Sequence, residues 1–412
     1  MNTIKNNFKD IHIYFLPLAA FFLLISTAAT NILIVLIILS VIFQLYKRKD
    51  YKIFFEKKIE IYSIAIFFLL LISALYSIAE LNDIIYTIKK YSKFLLIPIF
   101  YYNLKVNNNE KLVMKYFISG CTIILALSYV KYFNIFDFNI FYNIFNYVTF
   151  SPIETSITSG KSTIFQNYIN HGIILSVYFL FTILLGFNNN SKIYYFLSII
   201  SFINIIFLTD SRSAYIIVMI ILFLFSLKIK NINFFAFLSV FILLPLFFSA
   251  FNDNFVKRVE VASNDVAKII KDNDIDSSVG YRYLWANVGF DVIKKNPFFG
   301  NGVGSYKESV KEFYKVDNTF KYFPELVTNN PHNEFVSIAS QLGIFGFILF
   351  LLFLKSLYTT DKKSLFSNIV FLTVFLSCLS NSVFYDNILG IFIIILICLS
   401  SQEKFIKLLE VK

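Results

Sequence analysis

The sequence predicts an all-α, polytopic membrane protein with about 12 transmembrane helices and one large, partly helical loop on its outer face. Three observations carry that prediction. The first is composition: 57% of the 412 residues are hydrophobic, 15% are charged, and mean hydropathy is +0.68, more apolar surface than a soluble core can hide. The second is that apolar stretches close to the ~20 residues needed to cross ~30 Å of hydrocarbon recur along nearly the whole chain, separated by short polar loops. The third is that these stretches run continuously apolar instead of alternating with period two, which excludes a transmembrane β-barrel.

In chain order the spans are expected at 12–28, 31–46, 61–79, 92–103, 113–132, 169–187, 193–209, 213–228, 232–250, 333–354, 365–383 and 387–400, the fourth and twelfth being the shortest. Lysines precede the first span and no small-residue cleavage site follows it, so it reads as a retained helix and not a signal peptide. The start of the chain, KRKDYKIFFEKK (47–58), the loops near 104–115, 188–192, 228–230 and 355–363, and the tail together carry roughly 20 basic residues. The alternate short loops carry roughly 6, so both termini are expected in the cytoplasm. KKYSK (89–93) breaks this pattern by falling on the far side: either the short fourth span is misplaced or those lysines meet lipid headgroups.

The chain thus divides into nine spans over 1–250 with a smaller outer loop near 133–168, a large outer loop over 251–331, and three further spans with a tail over 332–412. Backbone inside the bilayer must satisfy itself, so polar chemistry is expected in the two outer loops and on the helix ends that frame them. A net charge of +11 suits anionic membrane lipid on the cytoplasmic side and argues only weakly for nucleic acid, which is not an expected partner. Cys121, Cys378 and Cys398 all fall inside expected spans, where they read as small packing residues. No disulfide framework, metal site or cofactor follows from them.

Of 37 basic residues only four are arginine: Arg48, Arg212, Arg258 and Arg282. A chain that otherwise uses lysine keeps arginine where a planar, always-charged fork is needed, and the natural partner of that fork is a phosphate or carboxylate. Arg212 lies in FLTDSRSAYIIV, a tight outer turn, where it can pair with Asp210, snorkel to headgroups or meet an anion; Ser211 and Ser213 can add donors or cap the following helix. Arg282 lies in SSVGYRYLWANVGFDVIKKNPFFGNGVGSYKESV (277–310), where a helix is expected over 281–295, followed by a Pro and Gly turn and another helix near 305. It reads either as a solvated charge or as an anion ligand, and the sole tryptophan, Trp285, shares its face. Arg258, with Asp253 and Glu260 nearby, reads as a solvated salt-bridging residue.

Two motifs are set aside. FFGNGVGSY lacks the Lys-Ser/Thr of a P-loop and the preceding buried strand of a dinucleotide fold. Asp272, Asp274 and Asp276 alternate like calcium ligands, but Ser277 and Tyr283 stand where that loop needs Gly and Glu. A D-x-D sugar-nucleotide site would need a nucleotide-binding domain, so a solvated acidic turn is the favoured reading.

His332 is one of three histidines and sits in TNNPHNEFVSIASQLGIFG (328–346). Pro331 is expected at the helix start with Asn330 as its cap, which puts His332 in the first turn of the tenth span. There the positive end of the helix favours a bound anion and a neutral imidazole, which beside a hydroxyl is a competent general base. The plainer reading is an interfacial cap; the coincidence with Glu334 and the rare Arg282 favours chemistry. His171, in KSTIFQNYINHGIILS (161–176), opens the sixth span after Gln166, Asn167 and Asn170, amides that suit sugar hydroxyls and equally cap helices. His12 is given no role.

Read in order, SRSAY, GYRYLW, FFGNGVGSY and NNPHNEFVSIASQLGIFGFILFLLF resemble the O-antigen ligase and polymerase superfamily of bacterial envelope glycosyltransferases. The resemblance covers the multi-span layout from end to end and is sharpest over about 205–355. It implies a metal-independent, inverting transfer of a glycan from undecaprenyl diphosphate to an acceptor hydroxyl at the periplasmic face of the inner membrane, so that the outer loops are periplasmic. It further implies that Arg212 and Arg282 hold the diphosphate and that His332 activates the acceptor. Ser211, Tyr215, Tyr306, Asn333, Glu334 and His171 are the neighbours expected to touch substrate. Chain length and a single dominant late loop lean toward a ligase, with lipid A core as acceptor, over a repeat-unit polymerase. A lipid-linked glycan transporter is the alternative from another class; it would carry charges inside several spans, where this sequence has almost none.

Overall fold

The computed structural model describes residues 11–135, 163–164, 166–209, 211–228, 253–316, 327–359 and 364–410. All regular structure among them is helical. The first half runs α1 (Phe15–Phe22, entered through a 3-10 turn), α2 (Thr27–Arg48), α3 (Lys58–Ser73), α4 (Leu81–Tyr91), α5 (Leu96–Asn107) and α6 (Glu110–Tyr132). It continues with α7 (Tyr168–Asn189), α8 (Lys192–Ile203, extended by a π-turn to Leu208) and α9 (Arg212–Lys228). Then come α10 (Asp253–Asp272), α11 (Ser278–Lys295) and α12 (Tyr306–Val316), followed by α13 (Glu334–Thr359), α14 (Leu365–Ser380), α15 (Ile388–Ser400) and α16 (Glu403–Leu409).

Helix boundaries follow local chemistry. Ser26 caps α2 by accepting from Ala29 N at 3.2 Å, Asn167 caps α7 by accepting from Asn170 N at 2.9 Å, and Ser277 caps α11 by accepting from Gly280 N at 3.0 Å. Left-handed Asn108 and Asn190 end α5 and α7, asparagine taking the place glycine often holds.

Four described helices are long and apolar enough to cross a membrane: α2, α6, α7 and α13; α15 and α16, bent by 90° at their junction, make a fifth if they count as one span. The protein is therefore a multi-pass membrane protein. Each expected span falls on a helix except 232–250, which lies outside the described residues, but several are short: α3 and α14 have 16 residues, α15 has 13 and α5 has 12. The described helices thus support four or five full-length crossings where the sequence suggests about 12 spans. The fourth span is the informative departure. It opens on a 3-10 turn at Ser92–Leu95 before running on as α5, and ahead of it stands a separate amphipathic helix, α4, which buries Asp83, Thr87 and Tyr91. Nor are the spans charge-free, since Lys93 and Glu334 are buried inside them and Glu60 is buried just ahead of the third.

The bundle is layered around α7 and α15. Every residue of α15 is buried, whereas α2 leaves Ile32, Val35, Leu39, Ile42 and Phe43 exposed on one side, as expected of a helix facing lipid. α3 and α14 flank α13, α9 packs on α7 and α14, and α5 packs on α15. Against one end of this bundle, α10 to α12 enclose a small core of their own, made by Ile275, Leu284, Val288, Tyr306, Val310 and Phe313.

The glycine run that fails as a phosphate loop fastens this cap to the bundle. α13 breaks at Gly343 (φ 62°, ψ −159°), which frees the carbonyls of Ser340 and Gln341 from helical partners. The 296–304 turn meets them: Asn301 N donates to Ser340 O and Gly302 N to Gln341 O, both at 2.9 Å, while Ile344 N donates to Pro297 O at 2.8 Å. The same turn is held to the end of α3, where Val303 N donates to Ser73 Oγ (3.1 Å) and Ser77 Oγ donates to Val303 O (2.8 Å). Broken helix inside a membrane protein persists only when its backbone groups find such partners. Gly302 (φ +86°) has no room for a side chain, because a Cβ would stand 2.4 Å from Ser77 Cα and 2.8 Å from Ser73 O. Gly302→Ala is therefore expected to destabilise the fold by about 1–3 kcal/mol, seen as a lowered thermal unfolding midpoint in detergent. An unchanged midpoint would mean that the turn is not clamped there.

Candidate active site

Where the cap meets the bundle, a cavity of about 600 Å³ opens. Its wall collects helix ends: Thr27 at the start of α2, Asn167 and Asn170 at the start of α7, Ser278 and Arg282 in the first turns of α11, and Asn387 and Ile388 at the start of α15. Lys90 from the end of α4 and Ser380 from the end of α14 complete it, with Asn381, Ser382, Tyr385 and Asp386 from the α14–α15 loop. Several helix N-termini therefore converge on one space, and each brings a partial positive charge. Together they suit an anion.

The charged side chains agree. Arg282 is exposed and donates from Nη1 to Ser278 O at 3.2 Å, one hydrogen bond among the described residues for a group with five N–H donors. Lys90 Nζ lies 5.2 Å from the Tyr86 ring and 5.6 Å from the Tyr385 ring and forms no ion pair among the described residues. Asp386 caps α15, accepting from Leu389 N at 2.8 Å. Asn170 Oδ1 and Ser382 Oγ are buried on this wall with no hydrogen-bond partner among the described residues, a cost that a bound polar ligand would relieve.

His332 sits opposite. The helix start differs from the sequence expectation: α13 begins at Glu334, and its cap is Asn333, which accepts from Val336 N at 3.1 Å. Pro331 and His332 precede the helix, and His332 is left-handed (φ 50°), with its N–H donating to Asn330 Oδ1 at 2.7 Å. Asn330 thus caps a turn at His332 instead of the helix. The imidazole lies on the Trp285 ring, centroids 4.8 Å apart and planes at 32°. Its Nδ1 is 3.3 Å from Asn381 Oδ1, an oxygen already accepting from Ser382 N at 2.9 Å. That oxygen is an acceptor, so Nδ1 carries the hydrogen and Nε2 keeps a lone pair. Burial pulls the His332 pKa below its ordinary value; the Arg282 charge acts in the same direction, while the Asn381 bond and Asp386 oppose it.

The other residues singled out from sequence occupy different places. Arg212 opens α9, half-buried, beside the first turn of α7, where Gly172 meets Ser211 and Ala214; it is not among the cavity's described lining residues. Ser211 is buried and caps α9 through Ala214 N at 3.3 Å, and Tyr215 donates to Thr209 O at 2.8 Å, tying off the preceding π-turn. His171 is buried inside the bundle. Asn333, besides capping, donates to Leu379 O at 3.0 Å. Tyr306 is buried and donates to the backbone carbonyl of Trp285, so it supports the ring on which His332 lies. Glu334 is fully buried and does not line the cavity: Tyr91 Oη donates to its Oε1 at 2.9 Å and Phe384 N to its Oε2 at 2.8 Å. The acidic 272–276 stretch is an exposed turn in which Asp274 accepts from Asp276 N at 3.0 Å and Asp276 from Tyr281 Oη at 2.6 Å.

The structure therefore unites Arg282 and His332 and adds Lys90, Asn381, Ser382 and Asp386, which the sequence reading passed over. A signal existed for each group. The misplaced KKYSK lysines mark Lys90, and SNSVFYDN (380–387), polar across the end of one expected span and the start of the next, marks the rest.

An all-helical, multi-pass membrane protein with an anion-ready cavity between bundle and cap is the class that fold and site define. The family described as O-antigen ligase matches residues 196–351, which supports membership of the O-antigen ligase and polymerase superfamily. That stretch holds Arg212, Arg282 and His332, whereas Lys90, Asn170 and Asp386 lie beyond it. Among curated proteins no sequence matches the chain.

Removing the Glu334 charge tests how the site is held. Glu334→Gln keeps size but turns one acceptor into a donor, so Tyr91 Oη must give its hydrogen to Ser337 instead and both bonds lose their charged partner, which should cost about 1–2 kcal/mol of stability. A thermal scan of the purified variant reads this; parental stability would show that the carboxylate does not tie these segments.

Proposed function

We infer that the protein transfers a glycan from undecaprenyl diphosphate to a sugar hydroxyl of lipid A core at the periplasmic face of the inner membrane, as an O-antigen ligase. The observation that carries this reading is the pairing of Arg282 with a tryptophan-backed His332 across one cavity fed by helix N-termini. In this scheme the acceptor hydroxyl attacks the anomeric carbon as the bond to the diphosphate breaks, so configuration inverts. Negative charge grows on the departing diphosphate, where Arg282 and Lys90 stabilise it without a metal, with Arg212 on the adjoining helix start. His332 Nε2 takes the hydroxyl proton. Amides around the cavity, Asn170 and Asn381 among them, suit sugar hydroxyls. A repeat-unit polymerase would use the same donor site and differ in its acceptor. In this topology the smaller loop near 133–168 and the segment 251–331 are periplasmic and both termini cytoplasmic.

Transfer assayed with purified protein, lipid-linked glycan and lipid A core tests the reading. Arg282→Ala should lower the rate by about 10²–10³ and His332→Ala by about 10²–10⁴. Arg282→Lys should restore only part of the loss, because the point charge returns without the fork. Normal transfer by both alanine variants would overturn the assignment.

The low pKa of His332 sets the pH profile. The neutral, proton-accepting form persists as pH falls through the ordinary imidazole range, so the acid limb of the rate should lie below about 6.5. Trp285→Ala opens the ring to water and should move that limb upward. A limb unmoved by Trp285→Ala would show that some other group controls it.

A further inference from the structure

A second cavity, of about 680 Å³, lies beside the first and shares Tyr385 with it. The strap ahead of α13 separates the two: Asn329 lines the second cavity, while Asn330 and His332 line the first. Tyr86 and Tyr385, both on the second cavity's wall, meet edge to face at 6.0 Å, and Lys90 Nζ sits over both rings while lining the first cavity. The two spaces therefore meet at a junction of two tyrosines and one lysine.

Their chemistry differs. The first cavity holds Arg282 and Lys90, neither in an ion pair among the described residues. In the second, Lys307 is committed to Asp83 at 2.9 Å, and Asn329 Nδ2 donates to the other Asp83 oxygen at 3.2 Å. That leaves a neutral surface of aromatic faces, a fixed carboxylate and the amides of Asn82 and Asn329. Asn329 Oδ1 is itself buried with no hydrogen-bond partner among the described residues. A phosphate would find no uncommitted cation there. A saccharide would find all it needs: a ring face for its C–H groups, and carboxylate and amide oxygens for its hydroxyls.

We propose that this second cavity is the saccharide subsite for the acceptor, seating the sugar so that its reactive hydroxyl passes Tyr385 to reach His332. The inference rests on the transferase reading above and adds where the acceptor is recognised. It divides the labour at Tyr385, with the diphosphate-linked donor on the Arg282 side and the acceptor sugars on the Asp83 side.

Steady-state transfer by the purified full chain, varying donor and lipid A core separately, tests the division. Tyr86→Ala should raise the acceptor KM about tenfold and leave the donor KM within about twofold, and Tyr86→Phe should restore the parental value by keeping the ring. Should Tyr86→Ala fail to fold, Asn82→Trp fills the same cavity from its exposed side and should raise the acceptor KM alike. An unchanged acceptor KM, or a rise in donor KM instead, overturns the subsite. If Arg282→Ala and His332→Ala abolish transfer while Tyr86→Ala and Asn82→Trp are neutral, the subsite fails alone. If those two alanine variants transfer normally, the transferase site fails with it.

Discussion

A buried carboxylate holds the site together. Glu334 opens α13 and takes one hydrogen bond from the end of α4 through Tyr91 and another from the α14–α15 loop through Phe384 N. Those three segments supply His332, Lys90 and the Asn381–Asp386 wall. A buried carboxylate is costly unless its oxygens are occupied, so the two donors and the carboxylate enforce one another. The cavity's shape thus depends on a group that does not face it. Tyr91 also bonds Ser337 at 2.8 Å, one turn further along α13, which extends the same constraint.

A second constraint sits on the other side of the cap. The break at Gly343 leaves backbone groups open in a helix long and apolar enough to cross a membrane, and the 296–304 turn answers them. Because that turn joins α11 to α12, closing the kink also fixes α11, and with it Arg282 and Trp285. Tyr306, two residues after the turn's last glycine, passes the constraint on by donating to the Trp285 carbonyl. Arginine and histidine belong to separate segments, yet both are referred to α13: one through the kink, the other through the helix start.

These arrangements explain what was legible in the sequence. Continuous apolar runs disclose the helical membrane class, and the amides ahead of α7 and the Pro and Gly turn after α11 disclose those two helices to within a few residues. Arg282 and His332 stood out because arginine and histidine are rare in this chain. The helix start at His332 was misplaced because Pro331 and Asn330 satisfy the usual rule, while the actual cap is Asn333, held by its bond to Leu379 O across the bundle. Glu334 looked like a substrate ligand for want of any sign that Tyr91, far upstream, would occupy it. The glycine run lacks phosphate-loop residues, and its spacing suits a close backbone docking instead. Lys90 was visible only as a violation of charge bias.

The central claim is that a lipid diphosphate binds between Arg282 and the converging helix ends, with its sugar turned toward His332. A cryo-EM structure of the protein with undecaprenyl diphosphate bound addresses it most directly. Phosphate oxygens within about 3 Å of the Arg282 guanidinium, in the cavity that His332 lines, are the expected result. A diphosphate seated elsewhere, with Arg282 and His332 both out of reach, would contradict it.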